Sequence, residues 1–478
     1  MITGSEMAVV DANAAALGVP RKQLMESSGH AVARVVTSVA DPEETVTIVA
    51  GRGNNGGDAF VAARFLDEYD IEIQLLGRPE TITTTIAREN WEALERSEYE
   101  TTQVRDASEF DLGDPDVVVD AMLGTGISGD LREPAATAAA AINDHDGTVV
   151  AVDVPSGMDA ETGTLADSAV VADQIVTFHD TKPGLADLDA TVTVADIGIP
   201  AVAETFVERG DLMRLDRDPA SHKGDNGEVL VIGGGPYTGA PALSAQAALR
   251  GGADLVRVAC PRAVARELQG YSENLIVRPF DGDHLETGHV DTILDLAVDH
   301  DTIVLGPGLG DEDSTLDAVT DLLGRYDGTA VVDADALAVV PEVDADADLL
   351  CTPHQGELLK MGGETAGDWE ERAALVEDFA TELSQTLLVK GPYDIVSDGE
   401  VTRVNRTGNA GMTVGGTGDV LAGTVGALAA TQSPIHAGAI GAYAVGRAGD
   451  IAVEDRGVGL VATDLLDTLP TALWASEP

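Results

Sequence analysis

Two α/β domains in tandem, each a parallel sheet with helices on both faces, are the fold class this sequence predicts. Short β-branched runs alternate with helix-forming stretches along the chain. Glycine-rich loops follow several of those runs, at the strand ends where open α/β sheets bind ligands. The alternation lapses once, near residues 200–220, and then starts again.

In the first half the β-like runs are Thr45–Ala50, Ile71–Leu76, Val117–Met122 and Thr148–Val152. Stretches such as Ala59–Tyr69 and Pro134–Asn143 supply the helices between them. Glu208-Arg209-Gly210-Asp211 and Arg217-Asp218-Pro219 mark the lapse, so domains are expected at 1–212 and 213–478. The second half restarts with Glu228–Ile232, Asp254–Ala259, Thr302–Leu305, Ala330–Val332, Asp348–Cys351 and Thr386–Val389. No short-period repeat is visible, which excludes a solenoid.

Charge narrows the setting. The 28 Lys+Arg stand against 83 Asp+Glu, a formal net charge of −55. Such a field repels nucleic-acid phosphates and anionic membranes, so neither is expected as a partner. The acids are interspersed with apolar residues and read as a solvated surface suited to a salt-rich cell interior, as in a halophilic archaeon. No run of about 18 apolar residues marks a membrane span, and the first residues lack the basic-then-apolar pattern of a secretory signal. Cys260 and Cys351 are too few for a disulfide framework and fit a reducing cytoplasm. Lysine is scarce (Lys22, Lys182, Lys223, Lys360 and Lys390), so a lysine kept in a glycine-rich loop is expected to have a task there.

The run Thr45–Ala50 leads into Gly51-Arg52-Gly53-Asn54-Asn55-Gly56-Gly57-Asp58 and then a helix. Glycines there let the backbone approach a phosphate, and the helix start adds amide donors. The spacing is neither the dinucleotide fingerprint nor a P-loop. A second run ends in Asp120-Ala121-Met122-Leu123-Gly124-Thr125-Gly126-Ile127-Ser128-Gly129-Asp130, a third in Asp153-Val154-Pro155-Ser156-Gly157-Met158-Asp159. Oxygen-bearing Asn55, Asp120 and Ser156 could converge on a hard cation. Asp153 could be an acid–base group partnered by Lys182 of Thr181-Lys182-Pro183-Gly184. The plainer alternatives are a capping aspartate and a surface lysine.

These motifs over about residues 1–205 resemble the epimerase domain of NAD(P)H-hydrate repair enzymes. The resemblance implies a Rossmann-like three-layer domain that interconverts the R and S epimers of hydrated NADH or NADPH. It implies nucleotide contacts from Asn54, Asn55, Gly56, Gly57 and Asp58, from Gly124, Thr125, Gly126, Ile127, Ser128, Gly129 and Asp130, and from Asp153. It also implies potassium on Asn55, Asp120 and Ser156. The chain departs from the family at His179-Asp180, where a glycine is common.

In the second half, Ser221-His222-Lys223-Gly224-Asp225-Asn226-Gly227 precedes the first run, and Gly233-Gly234-Gly235-Pro236-Tyr237-Thr238-Gly239-Ala240-Pro241 follows it. Gly306-Pro307-Gly308-Leu309-Gly310, Asp333-Ala334-Asp335-Ala336-Leu337, Thr352-Pro353-His354-Gln355-Gly356-Glu357 and Lys390-Gly391-Pro392-Tyr393-Asp394 come next. Finally Gly415-Gly416-Thr417-Gly418-Asp419 opens an apolar helix. A Gly-Thr-Gly helix start aims bare amides at developing negative charge, and Asp419 at its mouth can take the proton of an attacking hydroxyl. Lys223 reads as a phosphate or loop-ordering residue, and His354 as either a ligand contact or a turn histidine.

Over about residues 215–470 this order resembles the ribokinase-like NAD(P)H-hydrate dehydratases, driven by ADP or ATP. The resemblance implies that Ala240, Gly308, His354 and Asp419 contact the hydrated nucleotide. Lys390, Gly391, Pro392, Tyr393 and Asp394, with Gly415, Gly416, Thr417 and Gly418, would hold the adenine nucleotide and its phosphoryl charge. ADP would be the donor, with Mg²⁺, and AMP and phosphate would be released as the S hydrate returns to NAD(P)H. A Rossmann-like epimerase followed by a ribokinase-like dehydratase, assembled as a homo-oligomer, is therefore expected, with Asp153, Lys182 and Asp419 as catalytic residues. The competing readings are a ribokinase-like kinase for a vitamin alcohol and a non-enzymatic first half that serves as a nucleotide-sensing or partner-binding module.

Overall fold

The computed structural model describes residues 1–126 and 129–474. It divides into two compact units, Met1–Ala203 and Glu204–Pro478.

The first unit carries strands β1 (Thr45–Ala50), β2 (Asp70–Leu76), β3 (Glu100–Val104), β4 (Val117–Ala121), β5 (Thr148–Val152), β6 (Gln174–Phe178) and β7 (Thr191–Ala195). They pair in the order β3-β2-β1-β4-β5-β6-β7, every neighbour parallel. Central β4 is buried along its whole length, which explains its unbroken apolar run. The order reverses between β1 and β4, so the loops leaving their carboxyl ends diverge and leave a crevice. The helix expected at Ala59–Tyr69 is instead Asn54–Ala63: it starts inside the glycine motif, where a Cβ on Gly56 would stand 2.2 Å from the Gly51 carbonyl oxygen. The first helix, Gly4–Ala16, opens on a reciprocal cap between Thr3 and Glu6.

The second unit adds β8 (Glu228–Ile232), β9 (Leu255–Pro261), β10 (Ile276–Phe280), β11 (Thr302–Leu305), β12 (Thr329–Val332), β13 (Asp348–Cys351), β14 (Thr386–Val389), β15 (Asp394–Ser397) and β16 (Thr402–Asn405). Their order is β10-β9-β8-β11-β12-β13-β14-β15-β16, parallel as far as β14 and antiparallel across the last two pairings. The order again reverses, here between β8 and β11. Helices Gly239–Gly251, Thr417–Ala429, Pro434–Arg456 and Ala462–Trp474 share one apolar core with this sheet.

The units part upstream of the 212/213 junction expected from sequence. Residues 204–212 belong with the second unit for an electrostatic reason. The Arg403 guanidinium on β16 is buried, and it donates to Asp211 at 2.7 Å and to the Phe206 carbonyl at 3.3 Å. Val207 N also donates to Val404 O at 2.9 Å, extending the sheet edge.

Candidate active sites

In the first crevice the loops after β1 and β4 touch. A Cβ on Gly51 would stand 1.8 Å from the Met122 carbonyl oxygen, so only glycine permits the approach. Behind that contact Asp120 is fully buried. It accepts from Ser156 Oγ at 2.6 Å, Ser156 N at 2.8 Å and Met122 N at 3.2 Å. Asn55 Nδ2 donates to Leu123 O at 3.0 Å, and Leu123 N donates to Ser156 Oγ at 3.0 Å. Asn55 from the helix Asn54–Ala63, Asp120 from the end of β4 and Ser156 from the loop after β5 thus meet around Leu123. Among the described residues no basic side chain offsets Asp120, and burial pushes its carboxyl up to about 6. A buried carboxylate beside an amide, a hydroxyl and a peptide carbonyl is a donor set that fits a hard monovalent cation.

Of the other expected contacts, Asn54 opens the helix at its exposed end, while Gly56, Gly57 and Asp58 are buried within its first turns. Gly124 lies against the Asn55 side chain, Thr125 lies against Gly4, Gly126 is exposed, and Gly129 and Asp130 are exposed farther along the loop. Ile127 and Ser128 lie outside the described residues.

Deeper in, Asp153 takes a left-handed backbone (φ +65°), a conformation that costs a non-glycine residue about 1 kcal/mol or more. Its carboxylate is 3.3 Å from Lys182 Nζ and accepts from Thr177 Oγ1 at 3.0 Å. Lys182 is 1% exposed and donates to Thr177 Oγ1, Phe178 O and Asp180 O at 3.0–3.1 Å. Neither is the capping aspartate or surface lysine of the plainer reading. Asp153 in turn acts on two further carboxyls. Asp58 is pushed well above the carboxylate range, by burial first and then by Asp153 and Asp11. Asp11, which sequence reasoning missed, is pushed up to about 6 by burial, with Arg21 and His179 pulling the other way.

In the second crevice Gly306 (φ +125°) lets the loop after β11 run beside the end of β12, since a Cβ there would lie 1.8 Å from Asp333 O. Asp333 is 2% exposed and accepts from Lys390 Nζ at 3.0 Å and Thr352 Oγ1 at 2.8 Å. Lys390 Nζ is also 3.9 Å from Glu357 Oε2, and 3.4 Å from where a Cβ on Gly418 would stand. Burial alone would lower the Lys390 ammonium, but Asp333 and Glu357 outweigh it and hold it above its ordinary value. Burial pushes the Asp419 carboxyl up to about 7, with Asp333 reinforcing the shift and Lys390 opposing it. Asp333 and Glu357 stood in the sequence motifs without a role; here they fix the lysine.

Gly416 (φ +98°) caps the helix Thr417–Ala429, and Val420 N closes the first turn on Gly416 O at 3.1 Å. That leaves the amides of Thr417, Gly418 and Asp419 at the free helix start, with Gly415 just before it. The segment 390–394 is closed by Gly391 N donating to Asp394 Oδ1 at 2.9 Å, with Pro392 at its turn. Burial pushes the Asp394 carboxyl up to about 6, and Tyr393 stacks on Trp369 at 5.8 Å. Ala240 is the second residue of the helix after β8, and a Cβ on Gly308 (φ +72°) would stand 2.6 Å from the Tyr237 carbonyl oxygen. His354 Nδ1 accepts from Gly356 N and Glu357 N at 2.9 and 3.1 Å, so this nitrogen caps a helix as the turn reading expected. Its Nε2 remains, 3.5 Å from Glu357 Oε1. Lys223 is exposed in the loop that enters β8, at the amino end of the strand and so away from the crevice at the carboxyl ends. Asp254 orders that loop instead, accepting from Gly224 N, Asn226 N and Asn226 Nδ2.

Fold and site together define a two-unit α/β enzyme, with Asp153 paired to the buried Lys182 in the first crevice and Lys390 beside a glycine-capped helix start in the second, ribokinase-like unit. Residues 229–471 match the family profile described as NAD(P)H-hydrate dehydratase, and residues 21–184 that of the YjeF-related protein N-terminus. The bifunctional NAD(P)H-hydrate repair enzyme Nnr of Methanothermobacter thermautotrophicus is 43% identical over 98% of this chain and 94% of its own. That of Archaeoglobus fulgidus is 41% identical over 99% and 98%. A ribokinase-like superfamily protein from Enterococcus faecalis V583 covers 56% of this chain and 95% of its own, with a TM-score of 0.50 and 22% identity, a likeness of fold. The chain belongs to the bifunctional NAD(P)H-hydrate repair enzymes, which join an epimerase to a dehydratase.

Proposed function

We propose that residues 1–203 epimerise hydrated NADH or NADPH and that residues 204–478 dehydrate the S epimer with ADP. The observation that carries the second step is Asp419, a carboxyl pushed to about 7 at the mouth of a glycine-capped helix beside Lys390. A base so poised is half ionised at neutral pH. Asp419 takes the proton of the substrate's ring hydroxyl as that oxygen attacks the terminal phosphoryl of ADP and AMP departs. The amides of Thr417 and Gly418, with Lys390, steady the charge on the phosphoryl oxygens. The ring nitrogen's lone pair then expels phosphate, and loss of the neighbouring C5 proton restores the dihydropyridine. Tyr393, Asp394 and the turn around Pro392 shape the place for the adenine nucleotide; Ala240, Gly308 and His354 Nε2 bound the place for the hydrate. Among the described residues no group of three or more His, Cys, Asp or Glu could hold a metal ion. Mg²⁺ would therefore enter on the nucleotide's phosphates and neutralise them.

In the first unit Asp153 and the buried Lys182 support proton transfer to and from the substrate's hydroxyl oxygen. The glycine loop 54–58, the segment 124–130 and Asp153 bound the nucleotide site. Asn55, Asp120 and Ser156 would hold K⁺, which would offset the buried Asp120 charge and fix the loops. The charge of −55 supports a salt-rich host in which K⁺ is abundant. The direct test supplies chemically hydrated NADH, ADP and Mg²⁺ in concentrated KCl and follows the absorbance of restored NADH. ADP is expected to sustain turnover at least as well as ATP; restoration with neither donor, or with ATP alone, counts against the reading.

A further inference from the structure

Between the loop 390–394 and the helix start at Gly416 the chain makes the hairpin β15–β16 and comes back. Asp394 opens β15, Asn405 closes β16, and the two stand opposite each other in the antiparallel pairing. From Asn405 the chain runs on through residues 406–416 to the helix Thr417–Ala429. Asn405 is fully buried, and both polar atoms of its amide are paired. Its Nδ2 donates to Asp394 Oδ2 at 2.9 Å and to Ala442 O at 3.1 Å. Its Oδ1 accepts from Thr407 N at 3.1 Å and Thr407 Oγ1 at 2.8 Å. A peptide N–H can only donate, so Thr407 fixes which end of the amide faces Asp394. Asp394 Oδ1 closes the other loop by accepting from Gly391 N at 2.9 Å. Residues 407–409 lie against the helix Pro434–Arg456. There Gly408 N and Asn409 Nδ2 donate to Asp450 at 3.1 and 3.0 Å, and a Cβ on Gly446 would stand 2.2 Å from Thr407 Oγ1. The two segments meet a second time where Lys390 Nζ approaches Gly418.

We propose that Asn405 is a positioning residue for ADP: its amide sets the spacing between the loop that takes the adenosine end and the helix start that takes the terminal phosphoryl. The inference rests on the dehydratase reading given above. A ligand held at two ends gains from both contacts only while their separation matches its own length. Each loop has its own closing bond, Gly391 N to Asp394 and Thr407 N to Asn405, and the Nδ2 bond joins the two. Asn405→Asp separates these functions. It keeps an acceptor for Thr407 and leaves Gly391 bonded to Asp394, but it sets an oxygen against the Asp394 carboxyl where a donor stood. Attraction between the loops becomes repulsion, and Ala442 O loses its donor, while the bond that closes each loop stays. AMP reaches only the adenosine end, so its binding does not depend on the spacing.

The test titrates ADP and AMP separately into the full chain by calorimetry, with Mg²⁺ in concentrated KCl and no hydrate present. Asn405→Asp is expected to weaken ADP about tenfold and AMP less than about twofold. Retained AMP binding also reports that the second unit is folded. The exchanged pair, Asp394→Asn with Asn405→Asp, rebuilds the link with donor and acceptor reversed and should recover most of the loss in ADP affinity. A merely structural Asn405 would weaken both nucleotides alike. Equal weakening of ADP and AMP, wild-type ADP affinity in Asn405→Asp, or an exchanged pair no tighter than the single variant overturns the proposal. Absence of ADP binding by the wild-type chain would instead overturn the dehydratase reading beneath it.

Discussion

The two crevices use lysine in opposite ways. Lys182 is 1% exposed, and its ammonium is enclosed by Asp153, Thr177 and two carbonyl oxygens. Lys390 keeps 21% of its side chain open, held between Asp333 and Glu357 with its tip beside the glycine-capped helix start. Both crevices lie at the carboxyl ends of parallel strands, so the fold alone does not make the difference. An enclosed ion pair can direct a proton but has no donor left for a phosphate. An open ammonium beside bare amides can receive a phosphoryl group, and the cation that steadies it also tunes the base, Asp419.

The contrast breaks most sharply at Asp419. Asp419→Asn should lower ADP-dependent dehydration by about 10³-fold with the KM for ADP little changed, because the amide keeps the shape and loses the base. Epimerisation by the same variant should stay at the wild-type rate. Next in size is the buried pair that ties residues 204–212 to the second unit. Asp211→Asn leaves the Arg403 guanidinium buried without a counter-charge, which costs about 3–5 kcal/mol. Chemical denaturation should show that loss, and a fragment starting at 213 should share it while one starting at 204 does not.

The pH profile sharpens the comparison further. Asp419 must be ionised to act, and its carboxyl is raised to about 7. At saturating ADP and S hydrate, dehydration should therefore fall about tenfold for each unit below that value. The mildest expected effect is that of the monovalent cation. Replacing K⁺ by choline at constant ionic strength should slow epimerisation a few-fold, since Asp120 would keep a buried, unneutralised charge. Dehydration should not respond.

Much of this site architecture was readable from the chain alone, because it is written in glycine. Gly51 and Gly306 sit where a Cβ would collide with a carbonyl of the neighbouring loop, and such glycines mark strand ends in the sequence. Scarce lysines likewise pointed to Lys182 and Lys390. Asp11 was invisible for the converse reason: one more aspartate among 83 acids carries no signal, and only the packing of its helix gives it neighbours. The edge strands β3 (Glu-Thr-Thr-Gln-Val) and β7 (Thr-Val-Thr-Val-Ala) were missed because polar residues interrupt them and most of their positions are exposed or half exposed, so no unbroken apolar run announces them. The unit boundary depended on Asp211 meeting Arg403 across 192 residues, a pairing that no local pattern encodes.

The central claim is that one chain divides the repair between two independent sites. The most direct measurement gives the Asp153→Asn chain pure R and pure S hydrates separately, with ADP and Mg²⁺ in concentrated KCl, and records restored NADH. The S hydrate should be consumed at the wild-type rate, and the R hydrate only as fast as it epimerises without catalysis. Consumption of both epimers at the wild-type rate, or loss of both together, would contradict the account.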